Sequence, residues 1–64
     1  MERIANGEQV TWAQTTWEVI RFESGIYWLQ VPGPPTERRR IWHVDHQMRE
    51  QFEQMNPNAK RTAE

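Results

Sequence analysis

Four tryptophans occupy this 64-residue chain, Trp12, Trp17, Trp28 and Trp42, and each sits in its own short run of β-branched and aromatic residues. An indole can bury about 150–250 Å², so four of them supply core volume that the rest of the chain lacks. The shortage is real. A chain of this length buries only about 60% of the surface its unfolded form exposes. Small scaffolds of this kind usually rely on disulfides, a metal or a partner subunit. The sequence has no cysteine, which removes disulfides and thiolate metal sites and suits a reducing compartment. Aromatic packing, oligomerisation or both remain as sources of stability.

The runs around the tryptophans have strand character. Asn6-Gly7 marks a turn, because both residues tolerate positive φ. From Glu8 to Ala13, Val10 and Trp12 alternate with Gln9 and Thr11, the pattern of a half-buried strand. Gln14 and Thr15 form a break. Thr16 to Glu23 predicts a second strand whose alternation slips, with Trp17 and Val19 on one face and Ile20 and Phe22 on the other. A bulge near Val19-Ile20, or burial of both faces, accounts for the slip. Ser24-Gly25 is the next turn. Ile26 to Val31 is nearly all apolar and predicts a central strand, ended by Pro32-Gly33-Pro34-Pro35. Arg38 to Val44 predicts a fourth strand. Trp12, Trp17 and Trp28 are expected in the core. Tyr27 and Trp28 are adjacent, so within a strand they face opposite ways.

The period then changes. Val44, Met48, Phe52 and Met55 are spaced as one stripe of a helix over 45–56, with Asp45 as N-cap and Asn56-Pro57-Asn58 as the stop. Residues 57–64 have no apolar face and are expected to be a disordered tail. The expected fold is mainly β with one C-terminal helix: a single domain over 1–56, either a small barrel or a strongly bent antiparallel sheet of about four strands.

The runs Gly7-Glu8-Gln9-Val10-Thr11-Trp12, Thr16-Trp17-Glu18-Val19, Ile26-Tyr27-Trp28-Leu29 and Ile41-Trp42-His43-Val44 resemble the pattern of small SH3-like β-barrels, including those appended to phage and mobile-element proteins. The resemblance spans roughly residues 4–45 and leaves out the helix. It implies docking of protein or nucleic acid without catalysis, and it carries over no binding residues one by one.

Charge narrows the partner class. The net charge is −1, so nothing attracts nucleic acid globally. Residues 1–37 hold five carboxylates against two arginines, whereas 38–64 hold six basic residues against four acidic ones. The segment Arg38-Arg39-Arg40, followed by Trp42 and His43, is therefore the main candidate contact site. Arginine and tryptophan are enriched at protein–protein hot spots. The same pairing also serves to hold phosphates and stack on bases. Phe52, with Met48 and Met55, offers a second contact stripe, either for a partner or for a homodimer seam.

His43, Asp45 and His46 are the one cluster with metal-ligand chemistry, but no third or fourth ligand is evident, and a flanked N-cap explains them without a metal. No nucleophile or oxyanion hole accompanies them, so no catalytic residues and no cofactor are expected. No stretch approaches the ~20 apolar residues of a membrane span. Met1-Glu2-Arg3-Ile4 lacks a signal-peptide core, which leads to the expectation of a small cytoplasmic gene product. The sequence thus predicts a non-enzymatic binding module, an accessory or inhibitory protein docking on a larger partner protein. The alternatives are a nucleic-acid-binding protein and a self-assembling structural subunit.

Overall fold

The computed structural model describes residues 2–34 and 39–63. The strands are β1 (Glu2–Ile4), β2 (Gln9–Trp12), β3 (Thr15–Glu23), β4 (Ile26–Gln30), β5 (Ile41–Val44) and β6 (Arg61–Ala63). A one-turn 3-10 helix, His46–Met48, leads into the α-helix α1 (Arg49–Met55). Strands β2-β3-β4-β5 form an antiparallel meander in that order, and β1 pairs with β6 in a separate two-stranded antiparallel sheet.

The mainly β architecture with one C-terminal helix matches the sequence expectation. The closed barrel does not: β2 and β5 are the two edges of an open sheet and do not pair with each other. The disordered tail is also corrected. Arg61, Thr62 and Ala63 lie opposite Ile4, Arg3 and Glu2 in strand register. Their backbone gains partners that a polar composition does not forecast.

Tight turns set the register of the meander. Ala13 and Gln14, at φ 51° and 62°, connect β2 to β3. Ser24 and Gly25, at φ 53° and 79°, connect β3 to β4. Two consecutive left-handed residues are the geometry whose twist matches that of flanking strands. Gly7, at φ 89°, donates to the Val19 carbonyl while the next residue, Glu8, accepts from the Val19 N–H. Two residues therefore face one, a glycine bulge.

On its other side β3 carries a second irregularity. Val19 pairs with Leu29 and Arg21 with Trp28, so Ile20 is the extra residue. This explains the slipped alternation, because beyond Ile20 the side chains return to phase and Phe22 rejoins the face of Trp17 and Val19.

The core consists of Val10, Trp17, Val19, Tyr27, Leu29 and Val44 from one face of the meander, capped by Ile4 of β1 and Phe52 of α1. Phe52 sits 4.9 Å from the Tyr27 ring and meets Trp12 edge-on at 5.5 Å. A polar tie accompanies this packing. The Tyr27 hydroxyl accepts from the Ile4 N–H at 2.9 Å and donates to Glu53, whose carboxylate also receives Arg49 at 3.0 Å. Arg49 reaches on to the Glu2 carbonyl at 3.2 Å. One buried phenol therefore links β1, β4 and α1. Asp45 occupies the expected N-cap position, ahead of the 3-10 helix, but its side chain makes no capping bond.

Candidate functional site

The outer face of the meander, away from α1, should be polar in a half-buried sheet. It is polar only in part. The bulge leaves Ile20 on the surface, 37% exposed. Across the strands, Arg21 pairs with Trp28 and Trp28 with His43, while Gln30 pairs with Ile41. The Arg21 guanidinium lies over the Trp28 ring at 4.8 Å, and the His43 ring lies 5.4 Å from it on the other side. The result is a row, Arg21-Trp28-His43, crossing β3, β4 and β5. Ile20, Arg21, Trp28 and Ile41 line a mostly apolar hollow of about 300 Å³, and Ile41 is 55% exposed.

The β5 rim continues onto the inner face. Trp42 is 39% exposed and stands 6.0 Å from the buried Trp17. The Arg40 guanidinium stacks over both rings, at 5.0 Å from Trp42 and 5.6 Å from Trp17. Such cation–π contacts hold the guanidinium charge beside the two indole faces at the surface. Ile41, Trp42, His43 and Asp45 line a shallow groove of about 350 Å³ along the free side of β5.

The expected contact residues divide accordingly. Arg40, Trp42 and His43 are exposed and close together in the chain, but His43 faces outward with Trp28 while Arg40 and Trp42 share the inner side. Arg39 is half-buried, and its Nε is shielded from solvent without a hydrogen-bond partner among the described residues. Arg38 lies outside the described residues.

Phe52 is corrected outright. It is fully buried in the core, so it cannot contact a partner or form a dimer seam with Met48 and Met55, which remain exposed on either side of it. Among the described residues no group of three His, Asp or Glu is positioned to hold a metal. None of the helices is long and apolar enough to cross a membrane, again among the described residues.

Trp28 is the second correction. It is half-buried on the outer face, so the core aromatic of that adjacent pair is Tyr27. Ile20, Arg21 and Ile41 are the site residues that sequence reasoning missed. The slip at Val19-Ile20 was the available signal for Ile20. Nothing in the chain marked Arg21.

No family model matches this chain, and neither a curated protein nor a solved structure matches it.

Proposed function

We propose that this chain is a non-enzymatic binding module, an accessory or inhibitory protein that docks on a larger partner protein through the outer face of its sheet. The observation that carries this reading is the strip Ile20-Trp28-Ile41, apolar and open to solvent, bordered by Arg21 and His43. A large aromatic with an arginine on its ring, set in an apolar hollow, has the composition of an interface hot spot.

The charge of the same face favours protein over nucleic acid. Glu18 and Glu23 share it with Arg21, by their register opposite Gln30 and Ile26, and Arg21 is within 3.5 Å of Glu23. A phosphate backbone would meet carboxylates there. The nucleic-acid alternative rests on Arg40 and Trp42 at the rim, where a cation and an exposed indole adjoin. Self-assembly through the helix loses its main support with Phe52 in the core.

The test is affinity capture from extract of the source cells, comparing the unaltered chain with Trp28→Ser and Ile41→Ser. Both positions are surface-accessible, so circular dichroism should remain unchanged. Loss of one specific captured protein, with affinity reduced about 30-fold or more for Trp28→Ser, is the expected result. Equal capture by all three proteins overturns the reading. Steeply salt-dependent binding of single-stranded oligonucleotide that depends on Arg40 would favour the alternative.

A further inference from the structure

The two edges of the meander are treated differently. On β2, the Asn56 carboxamide occupies the outward-facing groups of Thr11, accepting from its N–H at 2.8 Å and donating to its carbonyl at 3.1 Å. A side chain thus stands where a neighbouring strand would bond. On β5 nothing comparable occurs. The Val31 N–H donates to the Arg40 carbonyl, which fixes the phase of the β4–β5 ladder. Arg40, Trp42 and Val44 turn their backbone groups toward β4, and Ile41 and His43 turn theirs outward. Among the described residues those outward groups have no partner. Within Ile41–Val44 itself there is no lysine, proline or bulge; the charge near this edge lies before the strand, in Arg39 and Arg40.

We propose that β5 pairs antiparallel with β5 of a second copy of this chain, about a two-fold axis passing between the two Trp42 residues. This inference stands independently of the docking reading. Only a register that bonds outward groups to outward groups is allowed, so a symmetric pair must be centred on Ile41, Trp42 or His43. Charge selects among the three. Centring on Trp42 sets Ile41 opposite His43 of the second copy, and Arg39 opposite its Asp45, twice over. Centring on Ile41 sets Arg39 opposite His43, with no carboxylate across from it. Centring on His43 places the two imidazoles face to face and Arg40 opposite His46. In the Trp42 register the two indoles form a non-hydrogen-bonded pair, the closer of the two pair types, and aromatic cross-strand pairs are among the favourable ones.

The paired sheets would form one eight-stranded sheet. The outer strip of each copy would then lie on a single continuous face.

Sedimentation equilibrium over a concentration series, at low ionic strength, tests this. The unaltered chain should show a reversible approach to twice the monomer mass. Arg39→Glu alone and Asp45→Arg alone each set like charges against each other and should weaken association by about tenfold. Neither residue belongs to the core, and Asp45 makes no capping bond, so both variants should keep the circular dichroism of the unaltered chain. Combining the two reversals restores the opposite-charge pairing and should return association to the original range. A monomer at every concentration overturns the proposal and leaves the edge to a strand from a different protein. A dimer indifferent to the single reversals, or one that the double reversal fails to restore, overturns it equally.

Discussion

The carboxamide of Asn56 bonds both backbone groups of Thr11, and the same side chain donates to the Phe52 carbonyl at 2.9 Å. One residue just beyond α1 therefore finishes the helix and closes the β2 edge. Asn56 is 8% exposed, the one buried polar residue among those described. Its three bonds explain how a polar side chain is held there.

Removing it should be costly for that reason. Asn56→Ala leaves the Thr11 N–H and carbonyl, which are part-buried, and the buried Phe52 carbonyl short of partners. The expected loss is about 2–3 kcal/mol. In a domain of this size that lowers the melting temperature by roughly 10 °C or more. Asn56→Asp keeps the acceptor but loses the donor, and should fall between the two. A thermal melt followed by circular dichroism measures both. An Asn56→Ala protein that melts within a degree of the unaltered chain would show that the edge is not held this way.

The Tyr27–Glu53 contact makes a prediction about alkaline pH. Burial, with the hydrogen bond to Glu53 second, pushes the Tyr27 phenol up to about 12 from its ordinary value of 10. Below pH 10 the phenol is protonated in both folded and unfolded chains, and its contribution to stability is fully present. Between pH 10 and 12 the unfolded chain releases the proton while the folded one keeps it, so stability falls by about 2 kcal/mol across that window. The sequence contains one tyrosine, so phenolate absorbance reports this group alone. Titration should show a midpoint near 12 while the protein is folded, and Tyr27→Phe should abolish that part of the alkaline loss. A midpoint near 10 in the folded protein would contradict the burial.

The strands around the tryptophans were legible in the sequence because alternation and turn residues are local signals. The sequence divides Glu8 to Val31 at Gln14-Thr15 and Ser24-Gly25; the chain turns at Ala13-Gln14, one residue earlier, and at Ser24-Gly25. The break in phase at Val19-Ile20 was legible as well, as either a bulge or a strand buried on both faces, and the pairing with β4 decides for the bulge. Pairing of β1 with β6 was not: it joins residues about sixty positions apart, and neither strand has an alternating pattern of its own. The helix stripe misled for a related reason. Spacing placed Met48, Phe52 and Met55 together, but a seven-residue helix crossing a small sheet buries a narrow contact, and that contact is Phe52. Which of Tyr27 and Trp28 faces inward depended on the phenol finding Ile4 and Glu53, two partners remote in sequence.

The β2–β3 turn is a place where the chain is not optimal. Ala13 and Gln14 both have positive φ and both carry a Cβ, which that region disfavours. Asparagine followed by glycine is the preferred pair for such a two-residue hairpin. Ala13→Asn combined with Gln14→Gly should therefore stabilise the fold by about 1–2 kcal/mol, a rise of several degrees in melting temperature. Both side chains are exposed, so no packing is lost. If the double substitution lowers the melting temperature, the turn does not have this conformation.

The helix offers a direct separation of core from surface. Phe52 contacts Trp12 and Tyr27 and is fully buried, whereas Met48 and Met55 are 40% and 48% exposed. Phe52→Ala removes the ring that joins α1 to the sheet and should destabilise by about 3–5 kcal/mol. For a chain this small that is enough to unfold a large fraction of molecules at 37 °C. Met48→Glu and Met55→Glu take nothing from the core and should change stability by no more than about 0.5 kcal/mol each. Association should be equally indifferent to the two methionine substitutions, because the pairing edge lies on β5 and not on α1. Denaturant unfolding supplies the stabilities and sedimentation supplies the mass. If Met55→Glu halves the mass while leaving the fold intact, the association surface is the helix and not the β5 edge.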